Sequence, residues 1–287
     1  MKRLILNADD FGFTHGINQA IVRAHREGIL TSTTLMANGP AFEEAVALAR
    51  EASELGVGVH FVLLGGKPVA DANKIPSLVR ADGAFPDSLP GFVARVTAGR
   101  VREEDIDTEL KAQVGKIRAA GIEPTHIDSH KHTHAHPRVF RAMARAAREL
   151  GILRVRNPFE RLQDSWALAR SSGAFSMQLA AAAAARIPSG DFERIRKEFA
   201  LLAPDGFLGL AVTGKMSSTA LAAAVQLLPE GVSEIMLHPG YDDAELAASR
   251  TRLRAERELE FAALVDPESR RALERENIRR VTFRELH

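Results

Sequence analysis

Short apolar runs alternate with amphipathic stretches along the chain. Strands are predicted at residues 3–8, 31–37, 57–63, 125–129, 153–156, 208–213, 232–238 and 281–283. Between the early runs, apolar residues recur with the period of a helix, as they do at Ile17, Ala20, Ile21 and Ala24. The first strand is expected to stop at Asp9 and Asp10, and a last helix is expected near residues 250–264.

The alternation of strands and helices predicts a parallel α/β architecture. About seven units fit a single-domain, irregular (β/α) barrel over residues 1–287, and a doubly wound open sheet is the alternative that periodicity does not separate from it. Two inserted segments interrupt the pattern, at residues 65–100 and 157–190. The first is expected to shape a substrate cleft. The second is expected to be either a packed helical cover or a mobile lid.

The composition narrows the classes of function. The 287 residues include 38 Lys and Arg against 37 Asp and Glu, so a net charge of +1 gives no general attraction to nucleic acid or anionic membranes. Cysteine is absent, so histidine and carboxylate side chains would have to hold any metal. The apolar runs are too short for a signal peptide or a transmembrane segment, and we therefore expect a cytoplasmic protein.

Four predicted strand ends carry side chains that can bind metal or exchange protons. They are Asp9 with Asp10, His60, the tract at residues 126–136, and His238. Ligands gather at the carboxyl ends of strands in α/β folds, so these ends are expected to meet. Two adjacent carboxylates beside a buried strand repel each other unless a cation or a proton lies between them. A β-turn or a helix cap is the alternative for this acidic pair.

Five of the ten histidines lie in the tract at residues 126–136. Alternate positions would point to one side if the tract were extended. A mononuclear catalytic site needs about three protein ligands and one open position for water. Some of these histidines must therefore have other roles, and the sequence leaves the roles of His126, His134 and His136 open.

Other features are weaker indicators. The arginines at positions 250, 252, 254 and 257 alternate with glutamates, a pattern that predicts a solvated helix face. Arg156 is expected either to reach a carboxylate of the site or to form an ordinary ion pair. Trp166 and Tyr241 are the single Trp and Tyr, and Tyr241 follows His238 closely enough to contact a substrate. The sequence has no dinucleotide-binding, Walker A or GxSxG motif, which argues against those classes.

Several of these motifs occur in one order in a known family. NADDFG at residues 7–12, TSTT at 31–34, GVHFVL at 58–63, HIDSHKH at 126–132 and HPG at 238–240 resemble the YdjC-like carbohydrate deacetylases. The resemblance extends from residue 3 to about residue 285. It implies a variant of the (β/α) barrel and a reaction that removes acetate from an N-acetylated amino sugar, either a chitooligosaccharide or an N-acetylglucosaminyl glycoconjugate.

The resemblance also implies roles for individual residues. Asp10, His60 and His130 match the ligands of one divalent metal ion, Mg or Zn, and Asp9 matches the catalytic base. A general-acid role for His238 follows by analogy with related metal-dependent deacetylases. Contacts with the substrate are expected from four further residues: His132, Arg156, Tyr241 and Trp166. A homodimer is compatible with the resemblance.

Two other classes of function stay open on the sequence. One is a different mononuclear metal hydrolase, such as a phosphoesterase or an amidohydrolase, that uses the same ligands. The other is a non-catalytic protein that binds a metal or a sugar. Asp9 and His238 argue against the second class, because binding alone needs neither an acid nor a base.

Overall fold

The structure is a computed structural model, and it describes residues 1–172, 186, 188–249 and 251–287. The strands are β1 (Lys2–Phe11), β2 (Ser32–Leu35), β3 (Gly56–Phe61), β4 (Ile127–Ser129), β5 (Gly206–Leu208), β6 (Gly231–Leu237) and β7 (Arg279–Arg280). All of their pairings are parallel. The strand-and-helix alternation of the sequence is therefore present in the fold.

Helices connect the strands. They are α1 (His15–Glu27), α2 (Phe42–Glu51), α3 (Leu89–Thr97), α4 (Glu103–Ala119), α5 (Pro137–Glu149), α6 (Leu162–Ser172), α7 (Ser189–Glu198), α8 (Ser218–Leu227), α9 (Ala244–Ala248), α10 (Ala255–Val265) and α11 (Pro267–Arg275). Short 3-10 turns cover Ala72–Lys74, His130–Ala135 and Phe283–Glu285. Among the described residues, none of these helices combines the length and the apolar character needed to cross a bilayer.

The sheet curls into a barrel. Its strand order is β4-β3-β2-β1-β6-β5, and β7 also pairs with β1. Single parallel bridges continue the ladder beyond β4, from Ile127 to Val155 and from Arg154 to Leu202. Leu202 is followed within a few residues by β5, which pairs with β6, so backbone pairing extends around the ring. The predicted fold class, an irregular (β/α) barrel, is confirmed.

Strand β1 lies at the centre of the sheet and is longer than the sequence predicted. Leu4, Ile5 and Leu6 are fully buried, as expected for a strand covered on both faces. The predicted stop at the two aspartates is wrong, because β1 continues to Phe11 through a shift in its pairing with β2. Such a bulge redirects side chains. Here Asp10 has a φ of 70°, in the left-handed region.

Three other strand predictions need correction. The strand predicted at 208–213 ends at Leu208, since Gly209 has a φ of 124° and a Cβ there would lie 2.4 Å from the Met236 carbonyl oxygen. The strand predicted at 281–283 is instead β7 at residues 279–280, and Phe283 begins a 3-10 turn. The strand predicted at 153–156 is reduced to two single bridges. The helix predicted near residues 250–264 begins at Ala255, and it is not the last helix, because α11 follows it.

The inserted segment at residues 65–100 is packed against α4. Ile75, Leu78 and Phe85 are fully buried. The Glu109 carboxylate accepts the backbone N–H groups of Val69 and Ala70, both at 2.9 Å. Polar groups of α4 thus fix an irregular chain whose backbone would otherwise lack partners.

The second inserted segment is described only in part. Helix α6 packs against α8. Residues 173–185 and 187 lie outside the described residues, so the choice between a packed cover and a lid stays a prediction.

Candidate metal and catalytic site

A cleft of about 500 Å³ opens at the carboxyl ends of the strands. The end of β1 contributes Asp9 and Asp10, the end of β3 contributes His60, and the residue after β6 is His238. The cleft is lined by Asp9, Asp10, Phe13, His60, Leu89, His130, Lys131, His132, Leu210, Thr213, His238, Thr251, Arg252, Leu253 and Arg257. The four strand ends singled out in the sequence therefore meet at one place.

Asp10, His60 and His130 present three donor atoms to one point. Asp10 Oδ1 lies 3.4 Å from His60 Nε2 and 3.2 Å from His130 Nδ1, and the two ring nitrogens are 3.3 Å apart. Bonds of about 2.1 Å from a metal to ligands at tetrahedral angles would separate two ligand atoms by about 3.4 Å. The spacing of the three atoms suits a single ion.

The orientation of the His60 ring is set by Asp128. His60 Nδ1 lies 2.8 Å from Asp128 Oδ1 and 3.0 Å from the Thr34 hydroxyl. A carboxylate on Nδ1 holds the proton there and leaves the Nε2 lone pair for a metal. Burial lowers the pKa of His60, but Asp128 and Asp10 outweigh this effect and raise the pKa to about 10.

The free atoms and charges at this point fit a divalent cation. Asp10 Oδ1 is buried and has no hydrogen-bond partner. Four buried carboxylates and two buried guanidinium groups surround the point: Asp9, Asp10, Asp128, Glu234, Arg156 and Arg257. Burial raises the pKa of Glu234 to about 7. If all four carboxylates are ionised and His60 is neutral, these groups carry two more negative than positive charges, which one divalent cation would neutralise. Two imidazoles and a carboxylate are acceptable ligands for zinc and for several other divalent metals.

The Asp9 carboxylate is held by Arg156. Both guanidinium Nη atoms of Arg156 donate to the Asp9 carboxylate, at 2.8 and 2.6 Å. Arg156 also contacts Asp128 at 2.5 Å and Glu234 at 2.8 Å, and it is fully buried. Burial raises the pKa of Asp9, but Arg156 outweighs burial and holds the pKa well below its usual range. Asp9 is therefore an ionised carboxylate at neutral pH.

His238 lies on the other side of Asp9. Its Nε2 is 3.9 Å from Asp9 Oδ2, and its Nδ1 is 3.8 Å from Glu260 Oε2. The backbone N–H of His238 donates to the same Glu260 oxygen at 2.5 Å. Burial lowers the pKa of His238 to about 4, so the ring is neutral at pH 7.

The structure distributes the histidine tract among different tasks. His130 joins the candidate metal group and His132 lines the cleft. His126 is buried and stacks on Phe283 with ring centroids 3.6 Å apart. The other two form hydrogen bonds with neighbouring groups. His134 bonds to the Ser129 hydroxyl, and His136 bonds to the Thr97 hydroxyl and accepts the backbone N–H of Arg138. The tract is not extended, because Lys131 and His132 have φ angles of 54° and 50°.

The four residues expected to contact substrate lie in different surroundings. His132 is in the cleft wall, and its Nδ1 has no hydrogen-bond partner. Arg156 is buried behind Asp9. Tyr241 packs against Phe261 with ring centroids 5.2 Å apart, and Trp166 on α6 is 51% exposed. Neither aromatic residue lines the described cleft.

Arg257 is the residue that the sequence interpretation missed. The alternation of arginine with glutamate predicts a solvated helix face for it, and that prediction is wrong, because Arg257 is only 2% exposed. Its Nη2 donates to Asp10 Oδ2 at 2.6 Å. The spacing of Arg257 to Phe261 and Leu264 by four and seven residues places all three on one helix face, and this was the available signal.

The fold and the site together define an α/β barrel with a candidate mononuclear metal centre at its carboxyl-terminal end. The chain belongs to a family described as YdjC-like protein, whose model matches residues 3–275. A carbohydrate deacetylase from Brevibacillus brevis is 35% identical over 286 residues, which cover 99% of each chain. A chitooligosaccharide deacetylase from Salmonella paratyphi B is 44% identical over 150 residues, which are 52% of this chain and 57% of that protein.

A solved structure is also similar. It is a crystal structure from Enterococcus faecalis V583, described as a candidate cellobiose-phosphate cleavage protein. The TM-score is 0.81 at 27% identity, and the match covers 98% of this chain and 97% of that one. A crystal structure of a protein that is 27% identical to this chain therefore has the same fold.

Proposed function

We propose that this chain is a metal-dependent hydrolase that removes the N-acetyl group from an N-acetylated amino sugar and releases acetate. The observation that carries the proposal is the buried, partnerless Asp10 Oδ1, which faces two ring nitrogens at 3.2 and 3.4 Å beside a separate ionised carboxylate, Asp9. The deacetylase names of the relatives support the substrate class. A chitooligosaccharide or an N-acetylglucosaminyl glycoconjugate would be the substrate.

In this proposal Asp10, His60 and His130 hold one divalent metal ion. When bound, such an ion supplies Lewis-acid polarisation of a carbonyl group and a lower pKa for water. Asp128 holds the His60 ring in the tautomer that leaves Nε2 free. The second group with suitable spacing, Asp9 with His60 and Asp128, is the weaker choice, because Arg156 already contacts both of its carboxylates.

Asp9 accepts the proton of the attacking water. Its bidentate contact with Arg156 fixes the carboxylate in place and keeps it ionised, so that it is available to accept a proton. His238 Nε2 lies 3.9 Å from Asp9 Oδ2 and is available as the next acceptor. Because His238 is neutral beforehand, we propose that it gains this proton and then donates it to the leaving amine.

A sugar-phosphate hydrolase is the second candidate. The description of the Enterococcus faecalis structure favours it, and Lys131 and Arg252 line the cleft, where either could meet a phosphate. Arginine and lysine are the usual partners of phosphate groups.

One experiment separates the two candidates. Metal-free protein is reloaded with Zn²⁺ or Mg²⁺ and incubated with N-acetylglucosamine oligomers, an N-acetylglucosaminyl lipid and cellobiose phosphate, and acetate and inorganic phosphate are measured. We expect metal-dependent acetate from an N-acetylated substrate and none in the chelated control. Phosphate or a cleaved sugar phosphate without acetate would overturn the deacetylase assignment. A cytoplasmic location and a homodimer stay predictions.

A further inference from the structure

Helix α10 carries two buried charged residues one turn apart, and both contact the candidate site. Arg257 is 2% exposed and Glu260 is 1% exposed. Residues three apart on a helix lie on the same face. Burying a charged group is unfavourable unless it gains close partners, so the contacts of each residue indicate what it does.

Arg257 contacts one oxygen of Asp10 and leaves the other free. Its Nη2 lies 2.6 Å from Asp10 Oδ2, while Asp10 Oδ1 has no hydrogen-bond partner and faces the two histidines. The stem of Arg257 is held as well. Its Nε donates to the Leu253 carbonyl at 3.3 Å, and a Cβ at Gly240 would lie 3.0 Å from its Cδ. The guanidinium is therefore fixed where it restricts Asp10 to a single available oxygen.

Glu260 connects the loop after β5 with the residue after β6. Its Oε1 accepts the N–H groups of Gly214 at 2.6 Å and Met216 at 3.4 Å. Its Oε2 accepts the N–H of His238 and lies 3.8 Å from His238 Nδ1. One carboxylate thus fixes both the backbone of His238 and the loop whose Thr213 lines the cleft.

We propose that Arg257 and Glu260 are positioning residues with separate tasks. Arg257 orients Asp10 so that Oδ1 alone is offered to the metal, and Glu260 holds His238 at Asp9. The inference rests on the proposed function, since it assigns these residues to the metal ligand and the proton donor of that reaction. It predicts that the two tasks can be separated by mutation, although both residues lie on one turn of one helix.

The test uses the full chain in five variants. Arg257→Met removes the contact with Asp10, and Arg257→Lys retains the charge without the planar fork. Glu260→Gln removes the carboxylate charge. The matched controls are Arg254→Met and Glu258→Gln, which change exposed residues at the same end of α10 that contact Asp242.

Two quantities are measured for each variant. The first is the Kd of metal-free protein for Co²⁺, together with the visible absorption of the bound Co²⁺, which reports ligand geometry. The second is kcat and KM for acetate release. We expect Arg257→Met to weaken metal binding by about 10- to 100-fold and to change the Co²⁺ spectrum, with Arg257→Lys in between.

Glu260→Gln is expected to give the opposite pattern. Its Kd for Co²⁺ and its spectrum stay as in the wild type, while kcat falls by about 10- to 100-fold and KM changes less than twofold. Both controls keep the wild-type values. If Arg257→Met does not fold, the role of Arg257 is tested with Arg257→Lys, by its Kd for Co²⁺ and the absorption spectrum of the bound Co²⁺.

The outcomes separate this inference from the proposed function. Unchanged Co²⁺ affinity and an unchanged spectrum in the Arg257 variants would overturn the role of Arg257. An unchanged kcat in Glu260→Gln would overturn the role of Glu260. If the wild-type chain binds Co²⁺ tightly but releases no acetate, the deacetylase proposal fails while the metal part of the inference is still decided by Kd. A wild-type chain that does not bind Co²⁺ contradicts both.

Discussion

Asp9 and Asp10 are neighbours in the sequence, yet they have different partners in the structure. Asp9 is held by Arg156 from within the barrel, whereas Asp10 is held by Arg257 from α10. Asp10 also has a left-handed φ of 70°. A non-glycine residue in this region is strained by about 1–3 kcal/mol, so the surrounding contacts must hold it there. Because each carboxylate is paired with its own guanidinium group, the repulsion between the two adjacent acids is offset and they can have separate roles.

Replacing Asp9 by Asn tests the base. Asn is nearly the same size and does not ligate the metal in this proposal, so the protein is expected to bind one divalent ion as before. Without the carboxylate to accept a proton, kcat should fall by about 100-fold or more. Metal content and acetate release are measured on the same preparation. Full activity in Asp9→Asn would show that Asp9 is not the base.

The histidine tract gives a second prediction. His130→Ala is expected to abolish tight metal binding, because it removes one of the three donor atoms. His136→Ala is the matched control in the same tract. It should keep the metal and lose about 0.5–2 kcal/mol of unfolding free energy, since His136 Nδ1 accepts an N–H at the start of α5. Equal metal loss in both variants would contradict the assignment.

The sequence indicates which residues lie together in the site, but it does not determine how each side chain is oriented there. Strand ends in one edge of a sheet bring Asp10, His60 and His130 together, and that could be predicted from the alternation of strands and helices. The left-handed conformations at Asp10 and at residues 131–132 could not, because non-glycine residues rarely adopt them. The proposed roles of these residues stay predictions.

At the scale of the elements, the sequence pattern locates β6 well and β5 and β7 poorly. Strand β6 pairs with β1 in register from Lys2 and Gly231 to Ala8 and Leu237, and its apolar run was evident in the sequence. By contrast, β5 is three residues long and β7 is two. Their positions are decided by tertiary contacts, such as the close approach of Gly209 to Met236, which no local pattern encodes.

The loop after β5 supplies a prediction about stability. Gly209→Ala puts a Cβ 2.4 Å from the Met236 carbonyl oxygen at a φ of 124°, so we expect a loss of roughly 2–4 kcal/mol in unfolding free energy. Gly115→Ala is the matched control. It lies within α4 with open space around the added methyl group and should stabilise by about 0.5–1 kcal/mol. Urea denaturation measures both, and equal stability of the two variants would contradict the loop geometry.

Across the whole molecule, the barrel collects buried charge at one end of its interior. The family and the fold class are confirmed, while the assignment of residues 1–287 to one domain stays a prediction. A buried cluster of carboxylates is costly unless protons or cations balance its charge. Binding of a metal should therefore raise the stability of the folded chain, by about 2.7 kcal/mol when the free metal is at 100 times its Kd.

The stability of the metal-free form is expected to depend on pH through His60. The folded-state pKa of His60, about 10, lies above its ordinary value of 6.5, so its contribution to stability is full below about pH 6.5 and is lost as the pH rises toward 10. The free energy of unfolding should fall from pH 7 to pH 10 in metal-free protein. The decrease should be smaller with metal bound, because the metal then replaces the proton. Equal slopes in the two forms would contradict the placement of His60.

The most direct test of the central claim is a titration of activity with metal. Metal-free protein is given increasing amounts of Zn²⁺, and the initial rate of acetate release from an N-acetylglucosamine oligomer is recorded at each step, with His130→Ala as the matched control. We predict a rate that rises linearly and levels off at one ion per chain, and no comparable rise in the variant. If the metal-free protein already released acetate at the full rate, the proposed metal dependence would be contradicted.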